Sequence, residues 1–163
     1  MNLILVVMHP REAVIGLLSE AACDLAGDLD HVESASVLSH RVAPERRVVC
    51  IQRWRARAAV PALLRPHFED GLLDWTVSTE RAIDGHECRW HAESAAIQVP
   101  GRCHGAMSFL SAAGGRGTRI EMHYEFPASN EGMRTIFRAL LDSHWRSLAE
   151  AAARRIAANA PRA

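Results

Sequence analysis

The chain contains no lysine: all 19 of its basic residues are arginine, and 19 acidic residues balance them. The absence of lysine excludes mechanisms in which a lysine amine forms a Schiff base. Because the formal net charge is zero, no overall field draws the protein to nucleic acid or to an anionic membrane, and we expect neither as a partner. The hydrophobic fraction of 48% with only 23% charged residues argues against disorder.

Several sequence motifs are also missing. The four cysteines are widely spaced and form no CxxC pair, which favours reduced thiols buried as small apolar groups. There is no GxSxG elbow, no Walker A loop and no dinucleotide fingerprint, so we expect no cofactor. The apolar start, Met1–Pro10, lacks a basic region and is too short to span a bilayer. We therefore expect a cytoplasmic protein without integral membrane association.

The longest periodic segment, Asn130–Ala158, predicts a helix with one broad apolar stripe. The stripe residues recur at spacings of three and four: Met133, Ile136, Phe137, Leu140, Leu141, His144, Trp145, Leu148, Ala152 and Ile156. Asp142, Arg146, Glu150 and Arg154 are predicted to form its solvent-exposed face. A helix of this length cannot bury such a stripe alone, so the rest of the chain must provide a large curved surface.

The preceding sequence predicts that surface. Asn2–Met8 is a predicted strand, and short helical elements follow at Glu12–Ser19 and Ala21–Leu25. From His31 onward the period changes to two. The predicted strands are Val32–Val42, Arg47–Arg57, Leu72–Ile83, His86–Ile97, Arg102–Ala112 and Thr118–Phe126, with a loop or a short turn of helix at Val60–Pro66. Hairpins followed by one helix indicate a single α+β domain, residues 1–163, with an antiparallel sheet.

This element order resembles the helix-grip fold of the SRPBCC superfamily, which includes START lipid-transfer domains, birch-pollen-allergen-like proteins and polyketide cyclase/dehydrase-like proteins. His9–Val14 resembles the junction at which a proline opens the first helix of that family. Trp90–Gly105 and Gly117–Ile120 resemble its strand pattern near the end of the sheet. The resemblance implies a curved seven-stranded antiparallel sheet wrapped around the C-terminal helix, with a cavity between them for a small hydrophobic molecule.

The predicted inward faces of the strands mix large aromatic side chains with Ala, Ser, Gly and Cys, which can leave room for a ligand. The candidate ligand-binding residues are Trp75, Val77, Cys88, Trp90, Met107, Phe109, Met122, Tyr124, Phe137, Leu141 and His144. The alternative is a filled core in which the small residues let the helix approach closely.

His144 places a polar group on the apolar stripe of the long helix. Beside Tyr124, it can orient a ligand or act as a general acid or base, and these two residues are the catalytic candidates. Arg81 is a third group that can fix the orientation of a ligand. The alternative for His144 is a core histidine bonded to a backbone carbonyl or to water.

Arg53, Arg55 and Arg57 share one face of a predicted strand, with Trp54 on the other. Such a face can bind phosphate or carboxylate groups, and arginine interleaved with an aromatic residue also suggests RNA. Acidic and basic residues alternate on the other outward faces too, which favours a solvated face with ion pairs.

The sequence contains nine histidines, which are common metal ligands, so a metal site is a candidate. His86 shares a face with Cys88, and His91 with Glu93, while His123 can lie across from either pair. No HxxxH or CxxC spacing gathers these ligands, and we expect no bound metal.

Two functions follow from the resemblance. The first is binding or transport of a lipid, an isoprenoid quinone or an aromatic, polyketide-like molecule. The second is a cyclase or dehydratase reaction, a lyase activity, in the same pocket. The lack of a clear inward acid–base pair favours binding. A third function is an interaction protein with a closed core, and an open sheet edge allows a homodimer.

Overall fold

A computed structural model describes residues 2–57, 74–93, 102–125 and 131–159. The strands are β1 (Asn2–Val7), β2 (Val32–Ala43), β3 (Arg47–Ala56), β4 (Asp74–Ala82), β5 (Glu87–Glu93), β6 (Arg102–Ala112) and β7 (Gly117–Glu125). The α-helices in these ranges are α1 (Arg11–Ser19) and α2 (Glu131–Asn159), and short 3-10 helices lie at Ala22–Asp28, Pro44–Arg46 and Ala113–Gly115.

The seven strands form one antiparallel sheet in the order β1-β7-β6-β5-β4-β3-β2. Strands β2 to β7 follow one another as a meander, and the first strand returns to pair with the last. In that pairing Leu3 lies opposite Met122 and Leu5 opposite Ile120. The curved sheet and its C-terminal helix confirm the predicted α+β architecture.

Alternation along the strands separates an outer face from a buried inner face. In β7, Ile120, Met122 and Tyr124 are buried, whereas Arg119 and His123 are exposed. The same period places Cys103, Met107 and Phe109 of β6, and Cys88 and Trp90 of β5, on the inside. These side chains form one core cluster with Trp145, Leu148, Ala149, Ala151 and Ala152 of α2. The helix therefore covers the inner face of the sheet, as its stripe predicted.

Two residues at the edges of the α2 stripe were predicted wrongly. Leu140 was placed on the buried stripe, but it is 52% exposed. Asp142 was placed on the solvent-exposed face, but it accepts a hydrogen bond from the hydroxyl of Tyr124. Both positions flank the centre of the stripe, where a helical period alone does not say which flank meets the sheet.

The element boundaries agree with the sequence pattern to within a few residues where the structure describes them. The second helical piece is a 3-10 helix over Ala22–Asp28, longer than the predicted Ala21–Leu25. The predicted loop Val60–Pro66 lies outside the described residues, as do the predicted strand ends at 72–73, at 94–97 and at Phe126. The rest of the meander is found as predicted.

The arginine-rich face of β3 carries ion pairs on the outside of the sheet. The Arg55 Nε atom lies 3.5 Å from a Glu33 carboxylate oxygen and 3.8 Å from one of Asp74. Arg53 lies 3.8 Å from the carboxylate of Asp74. Arg57 donates through Nε to the carbonyl of Val32 at 2.8 Å. These contacts favour the solvated outer face over a ligand-binding one.

Gly105 of β6 tests how tightly this sheet is packed. A Cβ atom at this position would lie 2.4 Å from the His123 carbonyl oxygen and 2.8 Å from the Tyr124 Cβ atom. Since the carbonyl is held in the β6–β7 ladder, we expect Gly105→Ala to lower the free energy of unfolding by about 1–3 kcal/mol. Denaturant unfolding followed by circular dichroism measures this change.

Gly16→Ala is the matched control. Gly16 lies inside α1, and a Cβ atom there would meet nothing within 4 Å. We expect this change to raise the free energy of unfolding by about 0.5–1 kcal/mol, because alanine is the better helix former. Equal effects of the two substitutions would contradict the close approach at Gly105.

Candidate ligand-binding site

The inner face of the sheet has a sealed part and an accessible part. Met107 and Phe109 of β6 and Ile120 of β7 are at most 1% exposed. By contrast, inward-facing apolar side chains of β4, β5 and the middle of α2 remain partly exposed. They are Trp75, Val77, Ala92 and Leu141, and all four pack against the core cluster. Part of the accessible apolar surface beside the core therefore lies where β4 and β5 face α2.

A group of aromatic rings forms one wall of this region. Trp54 of β3 and Trp75 of β4 are register partners, and their rings stack at a centroid distance of 6.3 Å and an interplanar angle of 12°. The His144 ring meets them edge-on, at 5.4 Å from Trp54 and 5.9 Å from Trp75. Trp54 was not among the predicted site residues. The alternation of Trp54 with Arg53 and Arg55 along the strand was the sequence signal that could have placed it on the inner face.

The polar partner of His144 is another histidine. The Nδ1 atom of His144 lies 2.8 Å from the Nε2 atom of His31, which directly precedes β2. Burial lowers the pKa of His144 from 6.5 to about 3, and the neighbouring His31 acts in the same direction. Burial also lowers the pKa of His31. Both rings are therefore neutral near pH 7, and one donates a hydrogen to the other.

Trp54 is held in place by a chain of hydrogen bonds that ends at α1. Its Nε1 atom donates to the Oε1 atom of Gln52 at 3.1 Å. The Nε2 atom of Gln52 donates to the carbonyl of Glu20 at 3.2 Å, and the Thr79 hydroxyl donates to the carbonyl of Ser19 at 2.6 Å. These bonds satisfy carbonyls that the end of α1 leaves without a helical partner. The aromatic wall and the first helix are therefore fixed to each other.

Arg81 has a structural role at the same end of α1. Its guanidinium forms an ion pair with Glu20 and donates to the carbonyls of Ile83 at 2.6 Å and Ala82 at 3.0 Å. His40 contacts the other carboxylate oxygen of Glu20 at 3.1 Å. With these partners Arg81 joins the turn after β4 to α1, which leaves little of its charge for the ligand that the sequence assigned to it.

A second polar group lies across the site on β7. The buried Tyr124 donates its hydroxyl hydrogen to Asp142 of α2, and Arg138 lies 3.7 Å from the Asp142 carboxylate. Burial, followed by the bond to Asp142, raises the pKa of Tyr124 well above its ordinary range. The phenol therefore stays protonated. Sequence reasoning missed Asp142, because its position in the helix pattern is that of an exposed residue.

Two indole N–H groups lie between these polar pairs. Trp90 of β5 and Trp145 of α2 are 3% and 6% exposed, with ring centroids 5.7 Å apart. The Trp90 ring also lies 6.2 Å from that of Tyr124. Among the described residues, the Nε1 atom of neither indole has a hydrogen-bond partner.

The thiols and the remaining histidines add no reactive group in the described ranges. Burial raises the pKa of Cys88 and of Cys103 to about 12, so both are protonated and poor nucleophiles. His91 contacts Glu93 at 2.7 Å and His123 contacts Asn2 at 2.7 Å, both on the outside. In this part of the chain, no three His, Cys, Asp or Glu side chains gather as metal ligands.

The structure brings most of the predicted site residues to the inner face. The fully buried ones are Cys88, Trp90, Met107, Phe109, Met122 and Tyr124. Trp75, Val77, Leu141 and His144 are partly buried at the accessible part. The side chain of Phe137 lies outside the described residues. Sequence reasoning did not assign His31, Trp54 and Asp142 to the site. It placed Trp145 on the apolar stripe but did not predict its indole as a hydrogen-bond donor.

No helix in the described ranges is long and apolar enough to cross a membrane. No protein-family model matches the sequence, and no curated protein matches it.

Solved structures do match the fold. The protein TTHA0849 from Thermus thermophilus is 21% identical, with a TM-score of 0.66 over 98% of this chain and 99% of that one. Norcoclaurine synthase from Thalictrum flavum, in complex with dopamine and hydroxybenzaldehyde, is 11% identical, with a TM-score of 0.67 over 99% of this chain and 88% of that one.

A third similar structure is the di-domain ARO/CYC protein StfQ of the steffimycin biosynthetic pathway. It is 15% identical, with a TM-score of 0.56, and the match covers 94% of this chain and 43% of that one. At these identities the matches concern the fold. Together with the sheet order and the position of α2, they show that the chain has the helix-grip fold of SRPBCC and START-like proteins.

Proposed function

We propose that this protein binds a small hydrophobic molecule between the inner face of the sheet and α2. The observation that carries the proposal is the set of partly exposed, inward-facing apolar side chains on β4, β5 and α2. Trp75 and Leu141 belong to this set and lie beside a fully buried core. Apolar surface that faces inward and still meets solvent favours a ligand that displaces the water.

The polar groups at the site support a neutral ligand. His144 and His31 share a hydrogen bond and are neutral near pH 7, and Tyr124 keeps its proton. An anionic ligand would lose its hydration here without gaining a positive charge from these groups. A cationic ligand would compete with Arg138 for the Asp142 carboxylate that is bonded to Tyr124. A lipid, quinone or aromatic molecule with few polar atoms fits the site better.

The comparisons support small aromatic molecules in particular. The norcoclaurine synthase structure that shares this fold contains dopamine and hydroxybenzaldehyde. In this chain, the partly exposed Trp75 ring, stacked on the buried Trp54 ring, provides an aromatic surface, and offset-stacked and edge-to-face arrangements stabilise aromatic contacts. Binding and transport of such a molecule require no catalytic group.

A cyclase or dehydratase reaction is the second candidate function, and the bond between Tyr124 and Asp142 favours it. Such reactions require a base that removes a proton next to a carbonyl and an acid that protonates the oxygen. The Asp142 carboxylate and the phenol provide these two roles in one hydrogen-bonded pair. The ARO/CYC protein StfQ, which shares the fold, supports this candidate.

Ala92→Phe tests the open site. Ala92 faces inward on β5 between Val77 and Cys103 in the sheet. If space lies in front of it, the added ring fills that space, so we expect affinity for the neutral probe N-phenylnaphthylamine to fall about tenfold or more at unchanged stability. Probe fluorescence gives the affinity and denaturant unfolding gives the stability.

Arg89→Phe is the control, because it adds the same ring to the exposed, outward face of the same strand. We expect it to leave the affinity for the probe unchanged. If Ala92→Phe instead lowers the free energy of unfolding by about 1–3 kcal/mol, and the parent binds no probe, the core is closed and the binding function is wrong.

The neutrality of His144 predicts an acid-sensitive fold. The unfolded chain binds a proton at His144 near pH 6.5, whereas the folded chain binds it only near pH 3. The contribution of His144 to the free energy of unfolding is therefore fully present above pH 6.5. It is lost as the pH falls toward 3, by up to about 1.4 kcal/mol per pH unit. Unfolding curves over this range should be less pH-dependent for His144→Gln than for the parent.

His86→Gln is the matched control, since His86 is exposed at the turn before β5. It should keep the pH dependence of the parent. If His144→Gln also keeps it, the imidazole titrates normally and the site is open to charged ligands.

An exchange measurement separates the two candidate functions. Acetylnaphthalene carries methyl protons next to a carbonyl, and their replacement by deuterium in deuterium oxide is followed by NMR. For a binding protein, we expect the parent and Asp142→Asn to show the same slow exchange. Exchange that the parent accelerates, and that Asp142→Asn abolishes while affinity stays within a few-fold, would establish proton transfer and favour the enzyme.

A further inference from the structure

The buried indoles of Trp90 and Trp145 are unusual in a well-packed core. A buried polar group without a partner costs free energy, and most such groups in folded proteins are bonded to protein or to water. Here two N–H donors, one from the sheet and one from the helix, lie on rings whose centroids are 5.7 Å apart. The two indoles are therefore a pair of donors without an acceptor among the described residues.

Trp90 lies against β6, and its indole donor has no acceptor among the described residues. Its register partner on β6 is Gly105, and a Cβ atom at that position would lie 3.0 Å from Cε2, the ring carbon bonded to Nε1. The N–H edge of the indole therefore lies close to the β6 backbone. The inward side chains nearest along this part of the sheet, Cys103 and Met107, are sulfur-containing and only weak acceptors.

Trp145 is in a similar environment on the helix side. Its ring also lies 6.0 Å, centroid to centroid, from that of His144, and that histidine already shares a hydrogen bond with His31. By contrast, the indole of Trp54 in the same core has a hydrogen-bond acceptor, because it donates to Gln52 at 3.1 Å. The described residues thus provide an acceptor for one buried indole of the site and none for the two others.

The surrounding charges limit what can accept these hydrogens. The Asp142 carboxylate is bonded to Tyr124, whose ring lies 6.2 Å from that of Trp90. An anionic acceptor would be repelled by this carboxylate, and Arg138, the described cation that contacts it, is on a half-exposed side chain already paired with Asp142. Indoles donate and do not accept, which excludes a ligand group that only donates. A neutral acceptor oxygen satisfies both conditions, because it carries no negative charge and accepts hydrogen bonds.

We propose that Trp90 and Trp145 form the polar end of the ligand site and donate their indole hydrogens to a neutral carbonyl oxygen on an otherwise apolar, ring-containing ligand. This inference rests on the proposed binding function and deepens it. The ligand class is an aromatic or cyclic ketone, or a quinone, and hydrocarbons and carboxylates are disfavoured.

Two ligands of equal shape test the proposal. Acetylnaphthalene and ethylnaphthalene, substituted at the same ring position, differ by a carbonyl oxygen in place of two hydrogens. We expect the parent protein to bind the ketone about tenfold more tightly, because two hydrogen bonds replace those that the carbonyl loses from water. Titration calorimetry measures both affinities, and naphthoate, the carboxylate analogue, should bind more weakly than either.

Indole resonances identify the donors in the same experiment. The four tryptophans give four side-chain N–H signals in a proton–nitrogen correlation spectrum. Between the ethylnaphthalene and acetylnaphthalene complexes, we expect those of Trp90 and Trp145 to move downfield, whereas that of Trp54 stays in place because its hydrogen is already bonded to Gln52. Trp145→Phe should remove most of the preference for the ketone and keep the affinity for ethylnaphthalene within a few-fold.

The outcomes separate this inference from the proposed function. Equal affinities for the two ligands, with no difference in the indole signals, would overturn the carbonyl site and leave the binding function in place. Binding of neither ligand would overturn both. The indole signals of the parent need no substitution, so the test stands even if Trp145→Phe does not fold.

Discussion

The structure depends on the packing of α2 against the inner face of the curved sheet. Trp145, Leu148, Ala151 and Ala152 are almost fully buried there and belong to the same cluster as the inward residues of β5, β6 and β7. Small residues dominate the second half of this contact and let the helix lie close to the sheet. In the first half, larger side chains such as Leu141 remain partly exposed. The helix thus leaves accessible apolar surface beside its first half.

The polar contacts of the core follow from that arrangement. Where a helix ends beside an apolar interior, its backbone carbonyls and the nearby side-chain donors need partners. Gln52 and Thr79 provide them at the end of α1, and Arg155 of α2 contacts Asp28 at 3.1 Å and the carbonyl of Asp24 at 3.1 Å. These bonds hold the helices at the sealed part. The aromatic wall is positioned by Gln52, so the site is built on the same network that stabilises the fold.

Much of the fold could be predicted from the sequence because the period of each segment is local information. The alternation in β7 predicts that Ile120, Met122 and Tyr124 face inward, and the structure has them buried. The contacts between residues of the site could not be predicted in this way. His31 and His144 are 113 residues apart, and no local pattern links them. Asp142 has the position of an exposed residue in the helix, and only the neighbouring Tyr124 makes it part of the site.

The charges of the described residues also bear on the proposed ligand type. An interior that bound an anion would place an arginine within reach of it, and this chain has 19 basic residues, all arginine, from which to do so. Among the described residues, Arg81 is a largely buried arginine, and Glu20 with the turn carbonyls already binds its two terminal nitrogen atoms. Among the described residues, the hydrogen-bond donors that remain toward the site are neutral: two imidazoles bonded to each other, a protonated phenol and two indoles. The Asp142 carboxylate beside the phenol disfavours an anion further. Neutral donors in an apolar enclosure discriminate by the presence of an acceptor, because a buried donor that stays without one costs free energy in every complex that lacks it.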